Sequence, residues 1–461
     1  GDITQGAIED KVFGLYSATK NWGMTQLPAL MMNSARSDDA DKGSTATDGA
    51  DVGDIVDKFG YTKDHWMLNA YWDDHYAFIY QANAIIDTVE NGGLTDPTSI
   101  INEAEARCLR AWAYFDLVRT YGEVPKIDFK IVNAADANVP KSSVNEIYAL
   151  IDEDLAFASA NLPLVWDPQF VGRATKGMAN TLQAKADLYR QNWGGALAKC
   201  QEVINSGQYE LYSPYAKIFT ESAENSKESI FEIQNYENAN GTVVYSNYVP
   251  NYQGVRGSGD WDLGWGWNAP NQVLLDAYET GDPRKEATVL FSGLADGVYG
   301  NIVPSYPDVV TRPYWNKKIY TDPARRQQTG DRFGLWLNTP ILRYADVLLM
   351  AAEAANELGQ ITEAEDYLEQ VRARARNGDE SVLPKITTND IATLRSAIHH
   401  ERRVEFAMEN ERFFDLVRWG EAQSTFAAMG VTYEPRNKYY PIPQPDIDKS
   451  GGVLLQNPDY P

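Results

Sequence analysis

Apolar residues recur at helical spacing along most of the chain. The segments 74–90, 101–121, 143–160, 176–191, 194–206, 341–358, 362–376 and 388–418 each carry a stripe of period 3.6. The pattern predicts a mainly α protein. Ile341, Ala345, Leu348, Leu349 and Ala352 form one stripe that stops at Gly359, a residue suited to the left-handed turn that ends helices. Thr362 and Glu365 then have capping-box spacing ahead of a second stripe, Ala364, Tyr367, Leu368, Val371 and Ala375. So short a connection predicts an antiparallel helical hairpin. A second hairpin is expected where Ala184, Leu188 and Tyr189 precede Asn192-Trp193-Gly194-Gly195, and Ala196, Leu197, Cys200, Val203 and Ile204 follow.

These two units resemble tetratricopeptide repeats, whose period is about 34 residues, without the full repeat consensus. Between about 208 and 337 the periodicity fades and Gly, Pro, Asn and Tyr become frequent, with β-prone runs at Ser229–Gln234 and Thr242–Val249. Long irregular stretches in compact chains build ligand-facing loops. No low-complexity linker divides the sequence. The expectation is one globular domain over 1–461, in which a helical scaffold (1–207 and 338–461) carries an irregular ligand-facing insert at about 208–337.

Composition narrows the function. With 461 residues and 43% hydrophobic content a large core is available, and no run of 18 apolar residues predicts a membrane-spanning helix. A net charge of −24 repels phosphate backbones, so nucleic acid is not an expected partner. Cys108 and Cys200 fall in helical stretches far apart and are read as buried thiols. The 12 Trp and 27 Tyr against 15 Phe favour rings with a polar edge, which suit surfaces that hold polar ligands.

Motifs for catalysis are missing. His65, His75, His399 and His400 make no His-Glu-x-x-His pattern, no Gly-x-Ser-x-Gly elbow occurs, and Gly254–Gly259 lacks the Gly-Lys-Ser/Thr ending of a phosphate loop. Glu401, Glu405 and Glu409 repeat every four residues, with Arg402, Arg403, Arg412 and Arg418 placed to neutralise them, which reads as an ion-pair network. Seven aspartates at 38, 39, 41, 48, 51, 54 and 57 would offer oxygens to calcium, but the EF-hand order is not met, so a solvated acidic loop is expected and no metal or cofactor.

The densest functional signal is Trp261-Asp262-Leu263-Gly264-Trp265-Gly266-Trp267-Asn268. Indoles between glycines, in neither helical nor strand pattern, suit stacking on the C–H faces of sugar rings, with nearby polar groups meeting the hydroxyls. Trp261, Trp265 and Trp267 are therefore candidate ligand contacts, Trp267 also being the best placed to plug the insert onto its scaffold. Trp66, Tyr314 and Trp315 join the list, whereas Trp72, Trp112, Trp193 and Trp419 are assigned to the core.

Four blocks carry a resemblance: Arg110–Pro125 (RAWAYFDLVRTYGEVP), Asn338–Gly359 (NTPILRYADVLLMAAEAANELG), Glu401–Gly420 (ERRVEFAMENERFFDLVRWG) and Tyr440–Tyr460 (YPIPQPDIDKSGGVLLQNPDY). Their order and spacing resemble the SusD/RagB family of outer-membrane glycan-binding lipoproteins. The resemblance implies a non-enzymatic protein on the outer face of the outer membrane. It would bind an oligosaccharide or polysaccharide and deliver it to a SusC-like TonB-dependent transporter, its partner. It also adds Asp38 and Asp39 to the ligand contacts, since the family often has an acidic pair near its glycan cleft there. Members typically begin with a lipidated Cys after a signal peptide; this sequence opens at Gly1, so it is read as a truncated mature form whose anchor is implied by the family alone. Peptide capture, as in some relatives, is the alternative, followed by a helical glycan-active enzyme and a ligand-free interaction scaffold. The Pro441–Pro445 run predicts that the last 20 residues form an extended strap.

Overall fold

A computed structural model describes residues 5–237, 243–245 and 247–461. It is mostly helical, at 54%, with short two-stranded sheets. The chain forms two compact units, one from Gly1–Pro28, Tyr61–Gln208 and Glu434–Pro461, the other from Ala29–Gly60 and Tyr209–Tyr433.

In the first unit, the helices Trp66–Asn91, Pro97–Tyr121, Val144–Asn161, Lys176–Tyr189 and Trp193–Asn205 pack each against the next. Their ends follow from side-chain chemistry. Asp96 accepts from the Ser99 amide with Pro97 in the first turn, Ser143 from Glu146, and Asn192 from Gly195. Gly122 ends its helix at φ +78° with the Tyr439 ring so close that a Cβ would meet it at 2.8 Å. The helix Pro97–Tyr121 is packed nearly all round, as its apolar residues predict, and Cys108 is buried in it; Cys200 is buried in a later helix. Trp72 and Trp112 are core residues.

The C-terminal strap lies on this unit. The Tyr440 amide donates to the Thr120 carbonyl (2.9 Å) and Gln444 to Lys63 (2.7 Å), with Tyr440 and Ile442 buried. One correction applies. The prolines do not keep the strap extended throughout, because Pro445 sits in the first turn of a short helix, Gln444–Lys449, where its missing N–H costs nothing.

The second unit holds the hairpin Tyr344–Glu357 and Ile361–Arg376, with Gly359 at φ +78° as expected. The expected capping box is absent. Gln360 caps the second helix without a side-chain bond, Thr362 lies inside it, and Glu365 accepts from the Thr388 amide instead (2.6 Å). Ile341 also leaves its expected helix, because Thr339–Arg343 is a strand paired antiparallel with Ser229–Ile233. Within the β-prone run 242–249, Val243–Tyr245 is a strand and Val249 opens a short helix; Thr242 and Ser246 lie outside the described residues.

The segment 388–418 is two helices, Ile391–Phe406 and Arg412–Arg418, separated by Met408 and Asn410, both at φ +67°. Electrostatics explain why Glu401, Glu405 and Glu409 tolerate one another, but the cations are not the helix's own arginines. Glu401 meets Arg284 (2.6 Å) and Arg372 (2.8 Å); Glu405 meets Arg284 (3.3 Å), Arg343 (3.0 Å) and Arg374 (2.8 Å); Glu409 meets Arg343 and Lys318 (both 2.8 Å). Burial raises the Glu405 carboxyl, yet Arg374, Arg343 and Arg284 outweigh it and hold it at about 2. Arg402 and Arg418 turn instead to Asp346, Glu353 and Asp415.

Candidate functional site

Seven of the eight candidate residues belong to the second unit. Ala40–Gly43 pairs antiparallel with Trp267–Pro270, matching Asp41 to Ala269 and Gly43 to Trp267. A two-stranded ribbon thus joins the acidic segment to the tryptophan run, as a shared site requires.

The glycines explain which indole projects. A Cβ on Gly264 would lie 2.1 Å from the Asn251 carbonyl oxygen, and one on Gly266, at φ +69°, would lie 2.6 Å from the Trp315 ring. The backbone therefore packs tightly on both sides of Trp265, whose amide donates to the Asn251 carbonyl (2.8 Å) while its side chain stays 45% exposed. The Arg256 guanidinium lies 5.0 Å from the centre of that ring and also binds Asp48 Oδ2 (2.9 Å), which accepts from Ser44 Oγ (2.8 Å). An aromatic surface with a held cation beside it can stack on an apolar ligand face and hydrogen-bond the ligand's edge.

The other indoles do different work. Trp267 is partly buried, its ring against Gly49 and beneath the Lys42 ammonium (5.4 Å), so it packs the acidic segment as a plug. Trp261 is also partly buried, parallel to Tyr320 at 6.2 Å in a cluster with Leu263, Val310 and Trp315. Tyr314 is half-buried and donates to Gln272 (2.8 Å).

Three expected contacts are corrected. Trp315 is only 1% exposed, with Nε1 bonded to Ser292 (3.0 Å). Asp38 and Asp39 are equally buried and spent on arginines: Asp38 takes Arg412 Nε (2.9 Å) and Arg403 (3.1 Å), and Asp39 takes Arg403 (2.7 Å). Burial raises Asp38, but Arg412 and Arg403 hold it below its ordinary value; at Asp39 burial prevails and the carboxyl is raised. A carboxylate so enclosed has no free face for a ligand hydroxyl. Nor is the acidic segment simply solvated. Asp41 binds Arg312 (2.7 Å), and Asp57, raised to about 7 by burial and by Asp41, accepts from the Lys42 amide (2.9 Å).

Trp66 belongs to the first unit. It opens its helix at 40% exposure and stacks parallel on Trp22, itself 41% exposed, at 5.4 Å. Gly23 allows the pairing, since a Cβ there would strike the Ala70 carbonyl. Trp22 and Arg256 are the residues that sequence reasoning passed over. Arg256 was legible only as part of a glycine-rich run, and Trp22 stands next to a Gly, the same signal that marks Trp265. No group of three or more His, Cys, Asp or Glu arranged to hold a metal occurs among the described residues, and no described helix is long and apolar enough to cross a membrane.

Residues 227–431 match the family described as SusD family, and residues 24–188 match the family described as starch-binding, associating with the outer membrane. Over 99% of its length the chain is 29% identical to SusD-like protein P2 of Formosa agariphila, covering 93% of that protein. Its fold matches a laminarin-binding SusD-like protein at TM-score 0.80 and 27% identity, over 99% of each chain. It also matches surface glycan-binding protein A of Bacteroides fluxus at TM-score 0.81 and 25% identity, over 99% of this chain and 100% of that one. Two family matches that together span most of the sequence, and a fold shared along its whole length, make this chain SusD-like in both sequence and fold.

Proposed function

We propose that the protein captures a glycan at the cell surface without turning it over, and that Trp265 is the centre of its contact. The observation that carries this is an indole nearly half exposed, fixed between two tightly packed glycines and flanked by the Arg256–Asp48 pair. Such a residue gains little for folding by its exposure, and an aromatic face with a charged edge suits pyranose rings. Support for the ligand class comes from relatives named for binding laminarin and surface glycans. Names of binding proteins among them also support a role without catalysis. Association with the outer membrane agrees with one family description, and a SusC-like transporter is the partner this role calls for.

Affinity gels against laminarin, starch and other neutral polysaccharides, followed by calorimetry on the best ligand, test the reading. Binding that Trp265→Ala abolishes or strongly weakens supports it. Binding that survives the change at full strength moves the site elsewhere, and glycan hydrolysis sensitive to one carboxylate-to-amide change removes the non-catalytic role.

A further inference from the structure

A pocket of about 540 Å³ opens in the first unit between the helix Trp66–Asn91, the segment 125–139 and the C-terminal strap. Its size is that of cavities that hold small organic ligands. Trp72, Tyr76 and Tyr80, spaced four apart along one helix face, form an aromatic stripe in its wall, with Trp72 and Tyr76 at 5.1 Å and Tyr76 and Tyr80 at 6.1 Å. Tyr76 is fixed by donating to the Pro125 carbonyl (2.8 Å). The Tyr80 hydroxyl has no hydrogen-bond partner among the described residues.

Polar groups converge at one side. The Asn69 amide donates to both Asp446 Oδ2 (2.8 Å) and Asp73 Oδ2 (3.2 Å), drawing the two carboxyls together, and Lys449 lies 3.6 Å from Asp73. Burial, and then the hydrogen bond it donates to Asp73, raise Asp446 to about 8. Asp446 therefore holds its proton near neutral pH and can donate from it. A site that sets donors and acceptors of both kinds, from Asp73, Asp446, Lys449 and the Tyr80 phenol, beside aromatic rings matches a polyhydroxylated ring better than a simple ion.

We infer that this pocket is a second carbohydrate site, one that takes a sugar unit of a neutral oligosaccharide between the Tyr76–Tyr80 wall and the Asp73–Asp446 pair. It uses none of the residues around Trp265, so it stands or falls separately from the role proposed for that indole.

Saturation-transfer NMR with laminaritriose, maltotriose and cellotriose on Trp265→Ala protein tests it, with circular dichroism and melting as fold controls. At least one trisaccharide should still receive saturation. In the same background Ala77→Trp, which fills the pocket from its wall, should reduce that residual binding by about tenfold or more, and Tyr80→Phe should weaken it by removing one hydroxyl. No residual transfer to any of the three sugars overturns the proposal. So does residual transfer that neither change reduces. Tyr80→Phe keeps the test decisive if the bulkier tryptophan disturbs folding.

Discussion

Arg412 grips Asp38 with two hydrogen bonds, Nε to Oδ1 at 2.9 Å and Nη2 to Oδ2 at 3.0 Å. The acid is buried, and Arg403 binds it as well. Removing one partner from such an arrangement leaves charge uncompensated in the interior, so Asp38→Ala should cost about 3–5 kcal/mol of stability. Urea denaturation measures it. A ligand-contact role would instead lower affinity with stability intact.

Trp265→Ala should do the opposite. The exposed ring contributes little to the core, whereas central aromatic contacts in binding sites are worth about 1–3 kcal/mol. Calorimetry with the best glycan should record that loss while the melting temperature stays nearly constant.

Gly266→Ala separates the scaffold from the platform. At φ +69°, with Trp315 only 2.6 Å from a new Cβ, the change strains the backbone and overpacks the cluster beneath it. A loss of about 1–3 kcal/mol in stability is expected, with glycan affinity falling alongside because Trp265 shifts. Paired melting and binding measurements check that the two fall together.

Glu405 gives an acid-side prediction. Its carboxyl sits at about 2 in the folded protein against an ordinary 4.5. The native state therefore binds fewer protons than the unfolded chain in that window. Its stabilising contribution is complete above pH 4.5 and is lost as pH falls toward 2. Glu405→Gln should destabilise the protein at pH 7, and the difference from wild type should shrink on acidification, as read from denaturant midpoints against pH.

Asp446 has the opposite sign. Its folded value of about 8 lies above the ordinary 3.8, so folding takes up a proton between the two and the residue makes stability fall as pH rises. Asp73, Lys449, Tyr76 and Tyr80 face or neighbour the same carboxyl, and Asn69 bonds it. Asp446→Asn should raise the melting temperature at pH 8 relative to wild type, with the gain vanishing near pH 4.

The helical hairpins, the left-handed turn at Gly359, the core role of Trp72 and Trp112, and the strap at Tyr440 were all legible in the chain, because periodicity, glycine and proline act locally. So was the need to neutralise Glu401, Glu405 and Glu409. Their partners were not. Helical spacing pointed to Arg402, Arg403, Arg412 and Arg418, but Arg284, Arg343, Arg372 and Arg374 arrive from segments remote in sequence.

For the candidate site the division is similar. Sequence alone singled out the tryptophan–glycine run, since alternating indoles and glycines fit neither helix nor strand. Tertiary structure decided which ring projects: Trp315 is sealed in the core, Trp267 packs on Gly49, and Trp265 alone of the run is left exposed. It also turned Asp38 and Asp39 into ion-pair anchors and brought Arg256 over Trp265. Local chemistry fixes what a residue can do. Burial and long-range partners fix whether it is free to do it, and those depend on segments that meet only when the chain folds.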